Sequence, residues 1–113
     1  MTEPGFSLVR HTTDGVVRLA LHGELDRDTT AALDDGIHDA LNTDRLAELV
    51  IDLDALAFLG AAGITALLQG RQHATRQGAA YRISNPHDFI QTVLQISGTL
   101  DTLTDTTGDP GMN

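Results

Sequence analysis

Few residues of this chain could do chemistry, and their spacing argues against most of it. Asp34 and His38 stand four residues apart and would share one face of a helix, a spacing that can hold a cation. On an acidic helix that pair reads as a solvated face rather than a metal site. The other histidines, His11, His22, His73 and His87, are scattered, with no His-Glu-x-x-His and no close pair. Ser7, Ser84 and Ser97 lack the paired His and Asp that would activate a nucleophile. Cysteine is absent, which removes thiolate chemistry, thiolate metal sites and disulfides. Asp26 reads as a cap or loop ligand, because no nucleophile or second carboxylate stands in the turn it would serve. What remains is a turn. The apolar run LVIDLDALAFL at 49–59 stops at Gly60-Ala61-Ala62-Gly63 and continues as ITALL. A helix that starts here offers unpaired N–H groups to an anion. The turn itself carries no hydroxyl, carboxylate, thiol or imidazole, and it lacks the P-loop pattern GxxxxGK[ST]. The nearest hydroxyl, Thr65, reads as an ordinary helix threonine bonded to a carbonyl one turn back. The residues therefore imply no enzyme, no cofactor and no metal, and they leave the turn as close packing or a binding surface.

Composition narrows the classes further. A chain of 113 residues is one domain, and 41% hydrophobic content with only 4% aromatics implies a core of Leu, Val, Ile and Ala. The net charge of −9 repels nucleic acid and anionic membrane. No run of 18 apolar residues is present, which argues against membrane insertion. The start MTEPGFSLVRH has no basic stretch followed by an apolar one, so no signal peptide is read and a cytoplasmic location is expected.

The elements that would position the turn can be read from periodicity. Residues 6–11 and 16–22 are two strands, the second alternating Val17, Leu19 and Leu21 with Arg18, Ala20 and His22. Asp14-Gly15 between them supplies the positive φ of a tight hairpin, so the pair is expected to be antiparallel. A helix begins near Asp28 or Thr29, capped by Asp26 or Asp28, buries Leu33, Ile37, Ala40 and Leu41, and closes near Asn42. Residues 48–53 are a strand apolar on both faces, which implies a parallel central strand covered on both sides. The helix over 61–77 has Ile64, Leu67, Leu68 and Ala74 as its inner stripe and Gly78 as its stop. A strand at 79–84 follows. Asn85-Pro86 then opens a helix with Asn as the cap, which buries Phe89, Ile90, Val93 and Leu94 and ends at Gly98. Residues 1–5 read as a flexible start and 105–113 as a disordered polar tail, with Leu100 and Leu103 anchoring a last short element. The order β-β-α-β-α-β-α predicts an α/β fold, a small mixed sheet with amphipathic helices packed on it.

Five segments in register carry a resemblance: GELD at 23–26, the strand at 49–59, GAAG at 60–63, ITALL at 64–68 and LQISGTLDTL at 94–103. Together they resemble the STAS domain, over residues 6–104, and within that family the stand-alone bacterial anti-sigma factor antagonists. The resemblance implies the STAS fold and a protein-binding regulator of transcription. In those antagonists the turn reads Asp-Ser-Ser/Thr-Gly. Its second hydroxyl is phosphorylated by a partner that is both an anti-sigma factor and a serine kinase of the histidine-kinase-like ATPase type. The unphosphorylated antagonist binds that partner and frees the sigma factor. Carried over, the Asp falls on Gly60, the first hydroxyl on Ala61, the phosphoacceptor on Ala62, and the glycine is kept as Gly63. Asp26 matches a family Asp near the same surface. The resemblance thus implies a partner-binding surface of Gly23, Glu24, Asp26, Gly60, Ala61, Ala62, Gly63 and Thr65, continued along the exposed face of the helix over 61–77. Ala62 would be a phosphoacceptor position without its hydroxyl, leaving the protein constitutively active or diverged, and Thr65 is the alternative acceptor. The second reading is a scaffold or accessory subunit of a stress-signalling assembly or a lipid-transport ATPase, whose partner is another STAS protein or the transporter ATPase. A small-ligand-binding STAS domain is a third, for which the sequence supplies no convergent polar pocket. The family usually continues into a final strand and helix past the position of Leu103, where this sequence turns polar.

Overall fold

The computed structural model describes residues 5–87, 90–92 and 94. Four strands form one sheet in the order β1-β2-β3-β4: β1 Phe6–Thr13, β2 Val16–Leu25, β3 Glu48–Leu59 and β4 Ala80–Ser84. β1 and β2 pair antiparallel from Thr13↔Val16. Asp14 and Gly15 make the two-residue turn with φ of 49° and 82°, the double positive φ that a tight hairpin needs. β3 is parallel to both β2 and β4, as its apolar composition implied.

Each parallel step is bridged by a helix, α1 Thr30–Leu41 after β2 and α2 Ala61–Arg76 after β3. α1 buries Leu33, Ile37, Ala40 and Leu41, the stripe expected from its sequence. α2 buries Gly63, Ala66, Leu67, Gly70 and Ala74, while Ile64 and Leu68 are only partly buried against the core. Gly78 follows α2 with φ 79°. Both helices share one core with Val17, Leu19 and Leu21 of β2, Leu49, Ile51 and Leu53 of β3, and Tyr81 and Ile83 of β4. Ile90 and Leu94 join it. Tyr81 lies fully inside, its hydroxyl donating to the Leu67 carbonyl at 2.8 Å, and burial drives its ionisation far above the ordinary tyrosine value.

β3 is covered on both sides, as its two apolar faces implied, and among the described residues no helix provides the second cover. Among the described residues α1 and α2 both pack on the core face. Val50 points the other way and is still fully buried. In register it lies between Arg18 and Arg82. Those guanidiniums reach along the sheet to its strand neighbours, Arg18 Nε to Asp52 at 3.2 Å and Arg82 Nε to Glu48 at 3.1 Å. Their alkyl stems can shield a valine while the charges stay wet. Burial raises the Asp52 carboxyl. Hydrogen bonds from Asn85 and the Asp54 N–H, with the Arg18 charge, outweigh burial and hold it below the usual carboxylate value.

Three strands outrun their sequence ranges, β1 to Thr13, β2 to Leu25 and β3 to Leu59. β3 continues to Leu59 because two bulges, opposite 20–22 and 23–24, each give it an extra residue. Burial beyond Asp52 then falls on every third residue, Leu53, Leu56 and Leu59, and the period-two signal disappears. Asn85 is not a helix cap. Its φ is 56° and its side chain donates to Asp52 at 2.9 Å, while Gln91 N–H bonds the His87 carbonyl at 3.1 Å. Phe89, Val93, Gly98, Leu100, Leu103 and the tail lie outside the described residues.

Candidate functional site

Because β2 and β3 are parallel and their last residues, Leu25 and Leu59, are paired, the chain leaves both strands at the same end of the sheet. Residues 23–26 and 60–63 are thereby brought together. Gly60 N–H donates to the Leu25 carbonyl at 2.9 Å. A β-carbon on Gly60 would stand 3.3 Å from the Phe58 ring and 3.5 Å from the Asp26 β-carbon. A β-carbon on Gly63 would stand 2.8 Å from the Leu25 carbonyl oxygen, closer than such atoms approach. Gly63 therefore lets α2 start against the end of β2, and the close-packing reading of GAAG holds at that residue.

The loop over 23–29 holds itself. Gly23 has φ 93°, and a side chain there would strike the Gly5 carbonyl. That carbonyl accepts the Glu24 N–H at 2.6 Å. Thr29 Oγ1 accepts the Asp26 N–H at 2.9 Å and donates to the Glu24 carbonyl at 2.9 Å. The Asp26 carboxylate accepts the Asp28 N–H at 3.1 Å, an Asx turn ahead of the helix. The expectation that Asp26 or Asp28 caps α1 is corrected: Thr29 is the N-cap, and its hydroxyl faces the loop instead of the helix. Gly5, Glu24, Asp26, Asp28 and Thr29 line a shallow hollow of about 220 Å³, whose three carboxylates favour a cationic visitor.

α2 opens without side-chain help. Gly60 is its N-cap, and the first helical bond runs from Ile64 N–H to the Gly60 carbonyl at 3.0 Å. The N–H groups of Ala61, Ala62 and Gly63 precede that bond. Ala61 is exposed, Ala62 half-buried, Gly63 buried and Thr65 exposed. Among the described residues Thr65 makes no side-chain hydrogen bond, so the back-bonded threonine read from the sequence does not form.

Two features escaped the sequence. Phe58 is 39% exposed beside Gly60, although its apolar run gave no reason to separate it from Leu56 and Leu59. The bulges turn it outward. His38 and His73, 35 positions apart in sequence, meet across α1 and α2 with ring centroids 5.2 Å apart. His38 Nδ1 pairs with the Asp34 backbone carbonyl at 2.9 Å, so Asp34 and His38 are joined through backbone and not as a carboxylate–imidazole ligand pair. No group of three metal-ligating side chains forms among the described residues.

The STAS domain family model matches residues 7–109. The chain belongs to the STAS domain family. Its STAS fold is shared with an anti-sigma factor antagonist from Mycobacterium paratuberculosis, at 26% identity and TM-score 0.70 over 92% of this chain and 87% of that one. It is also shared with the anti-sigma factor antagonist SpoIIAA in its unphosphorylated form, at 19% identity and TM-score 0.72 over 83% of each chain. A murine solute carrier family 26 anion transporter, in its inward-facing state, matches at 17% identity and TM-score 0.68 over 78% of this chain and 14% of that one. A search of curated proteins found no match to the STAS chain. Among the described residues no helix is long and apolar enough to cross a membrane.

Proposed function

We propose that this STAS domain is a protein-docking regulator of the anti-sigma factor antagonist type, and that it docks through the joined ends of β2 and β3. The observation that carries the reading is the Gly60–Leu25 hydrogen bond of 2.9 Å, which fixes residues 23–26 beside residues 60–63 at the start of α2. The likeness to two anti-sigma factor antagonist structures along most of their length supports it. The surface would comprise Gly23, Glu24, Asp26, Gly60, Ala61, Ala62, Gly63 and Thr65. Its partner would be an anti-sigma factor with a serine-kinase, histidine-kinase-like ATPase fold, which brings its own nucleotide and magnesium.

On this reading Ala62 stands where the antagonists carry their phosphoacceptor. A methyl group cannot take a phosphoryl group, so the docking state would be permanent with respect to that residue. A phosphate would add nearly two negative charges to a surface meant to be covered, and the desolvation and repulsion that follow are what release a partner. The test is binding of wild type and Ala62→Asp to the host's anti-sigma kinase by titration calorimetry. At least a tenfold loss of affinity in the variant is expected, and equal affinities would remove the docking face. Incubation with kinase and labelled ATP is expected to leave residues 60–63 unlabelled, and label on Thr65 would restore a switch. Equal capture of a transporter ATPase or of another STAS protein from host lysate, with wild type and Ala62→Asp as the two baits, would move the protein to the scaffold class.

A further inference from the structure

We propose that His38 and His73 form a two-histidine site for a tetrahedral divalent cation of the zinc type, clamping α1 to α2. The site lies on the helix layer and does not rest on the docking reading. Three observations converge on it. The first is distance. With a metal–nitrogen bond of about 2.0–2.1 Å and about 1.15 Å from nitrogen to ring centre, two imidazoles on one tetrahedral ion have centroids about 5.2 Å apart. The same rings in adjacent positions of a square-planar or octahedral ion would be about 4.5 Å apart. The observed separation is 5.2 Å, with the rings tilted by 50°.

The second is the proton. His38 Nδ1 is 2.9 Å from the Asp34 carbonyl oxygen, which only accepts. In the neutral ring Nδ1 therefore carries the hydrogen and Nε2 the lone pair. Donation of the second ring nitrogen to a backbone carbonyl is the arrangement that orients histidine ligands in metal sites. The third is field. His38 and His73 are each in the last turn of their helix, where the helix dipoles place partial negative charge and favour a cation. Asp34, Asp35 and Asp39 of α1 add to that field, and Arg76 of α2 opposes it. His38 is exposed and His73 half-buried, so an ion can enter and water can complete its coordination.

The experiment uses the full chain without a polyhistidine tag and titrates it with Zn²⁺ by calorimetry at neutral pH. One ion per chain is expected, with a rise in Tm that grows with zinc concentration, because the ion binds the folded pair and not the separated histidines of the unfolded chain. His38→Ala and His73→Ala should each weaken binding at least tenfold, while His22→Ala should not. In the wild type, trace Co²⁺, a paramagnetic ion that takes tetrahedral nitrogen sites as zinc does, should broaden the NMR signals of residues around 38 and 73 before any others. Absence of zinc binding, binding unchanged in either single variant, or broadening centred on another histidine would overturn the site.

Discussion

Gly36 and Gly63 both sit in helices where a β-carbon would crowd a neighbour, yet replacing them with alanine should act in opposite directions. At Gly36 the crowding atom is the far end of Leu8, Cδ2 at 2.8 Å, on a half-buried side chain that can turn aside. The helix gains about 1 kcal/mol when Gly becomes Ala, so Gly36→Ala is expected to be neutral or stabilising by about 0.5 kcal/mol. At Gly63 the crowding atoms include the Leu25 carbonyl oxygen at 2.8 Å, backbone that the β2–β3 ladder holds in place. Overpacking of about 1–3 kcal/mol should dominate there, and Gly63→Ala should lower the urea midpoint. If Gly63→Ala is neutral, the β2 end is softer than its hydrogen bonds imply. Tyr81 is a second case decided by one atom. Its hydroxyl is buried and bonded, so the neutral form belongs to the native state. A folded value raised above the unfolded one means full stability below about pH 10, lost as pH climbs past it. Tyr81 is the chain's single tyrosine. Phenolate absorbance is therefore expected to appear together with loss of far-ultraviolet circular dichroism, and phenolate in a folded chain would contradict the burial.

At the scale of elements, β3 is tied to its neighbours twice, by the helices on the core face and by Arg18, Asp52, Asn85, Arg82 and Glu48 on the other. Asp52 is the shared acceptor, and its depressed carboxyl makes that lattice pH-dependent. The contribution is present above the unfolded carboxylate value of about 3.9 and is lost as pH falls through the lower folded value. Asp52→Asn should therefore lower stability near neutrality, and the gap from wild type in the urea midpoint should close on acidification below about pH 4. A gap that persists in acid would assign Asp52 a packing role only. None of this lattice was readable from the chain alone. Val17, Leu19 and Leu21 declare a strand because each meets the core every second residue. Asp14-Gly15 declares its turn because a double positive φ restricts residue choice. Leu53, Leu56 and Leu59 break period two because β3 carries an extra residue at each of two bulges, which show only in its pairing with β2. Asn85-Pro86 carries a helix-start composition, but Asn85 spends its amide on a residue 33 positions away. Local signals were legible where local geometry alone sets the residue, and misled where a distant partner sets it.

For the molecule as a whole, folding and the proposed docking make different demands on the same turn, and Ala62 separates them. The meeting of residues 23–26 with 60–63 follows from parallel strands ending together, which composition already implied for β3. The exposure of Phe58 and the approach of His38 to His73 depend on bulges and helix crossing, which no short window contains. At Ala62 a carboxylate would stand on the second residue of α2, near N–H groups with no side-chain cap. The dipole there favours a negative charge by about 0.3–1 kcal/mol. Aspartate costs up to about 0.7 kcal/mol of helix propensity against alanine. The two nearly cancel, so Ala62→Asp should fold with a stability within about 0.5 kcal/mol of wild type, measured by urea unfolding with circular dichroism. Loss of partner binding by a variant of unchanged stability would then report charge at the proposed docking face and nothing else. A variant that unfolds instead would show that the half-buried methyl of Ala62 packs against the sheet end, and the turn would belong to the fold before it belongs to any partner.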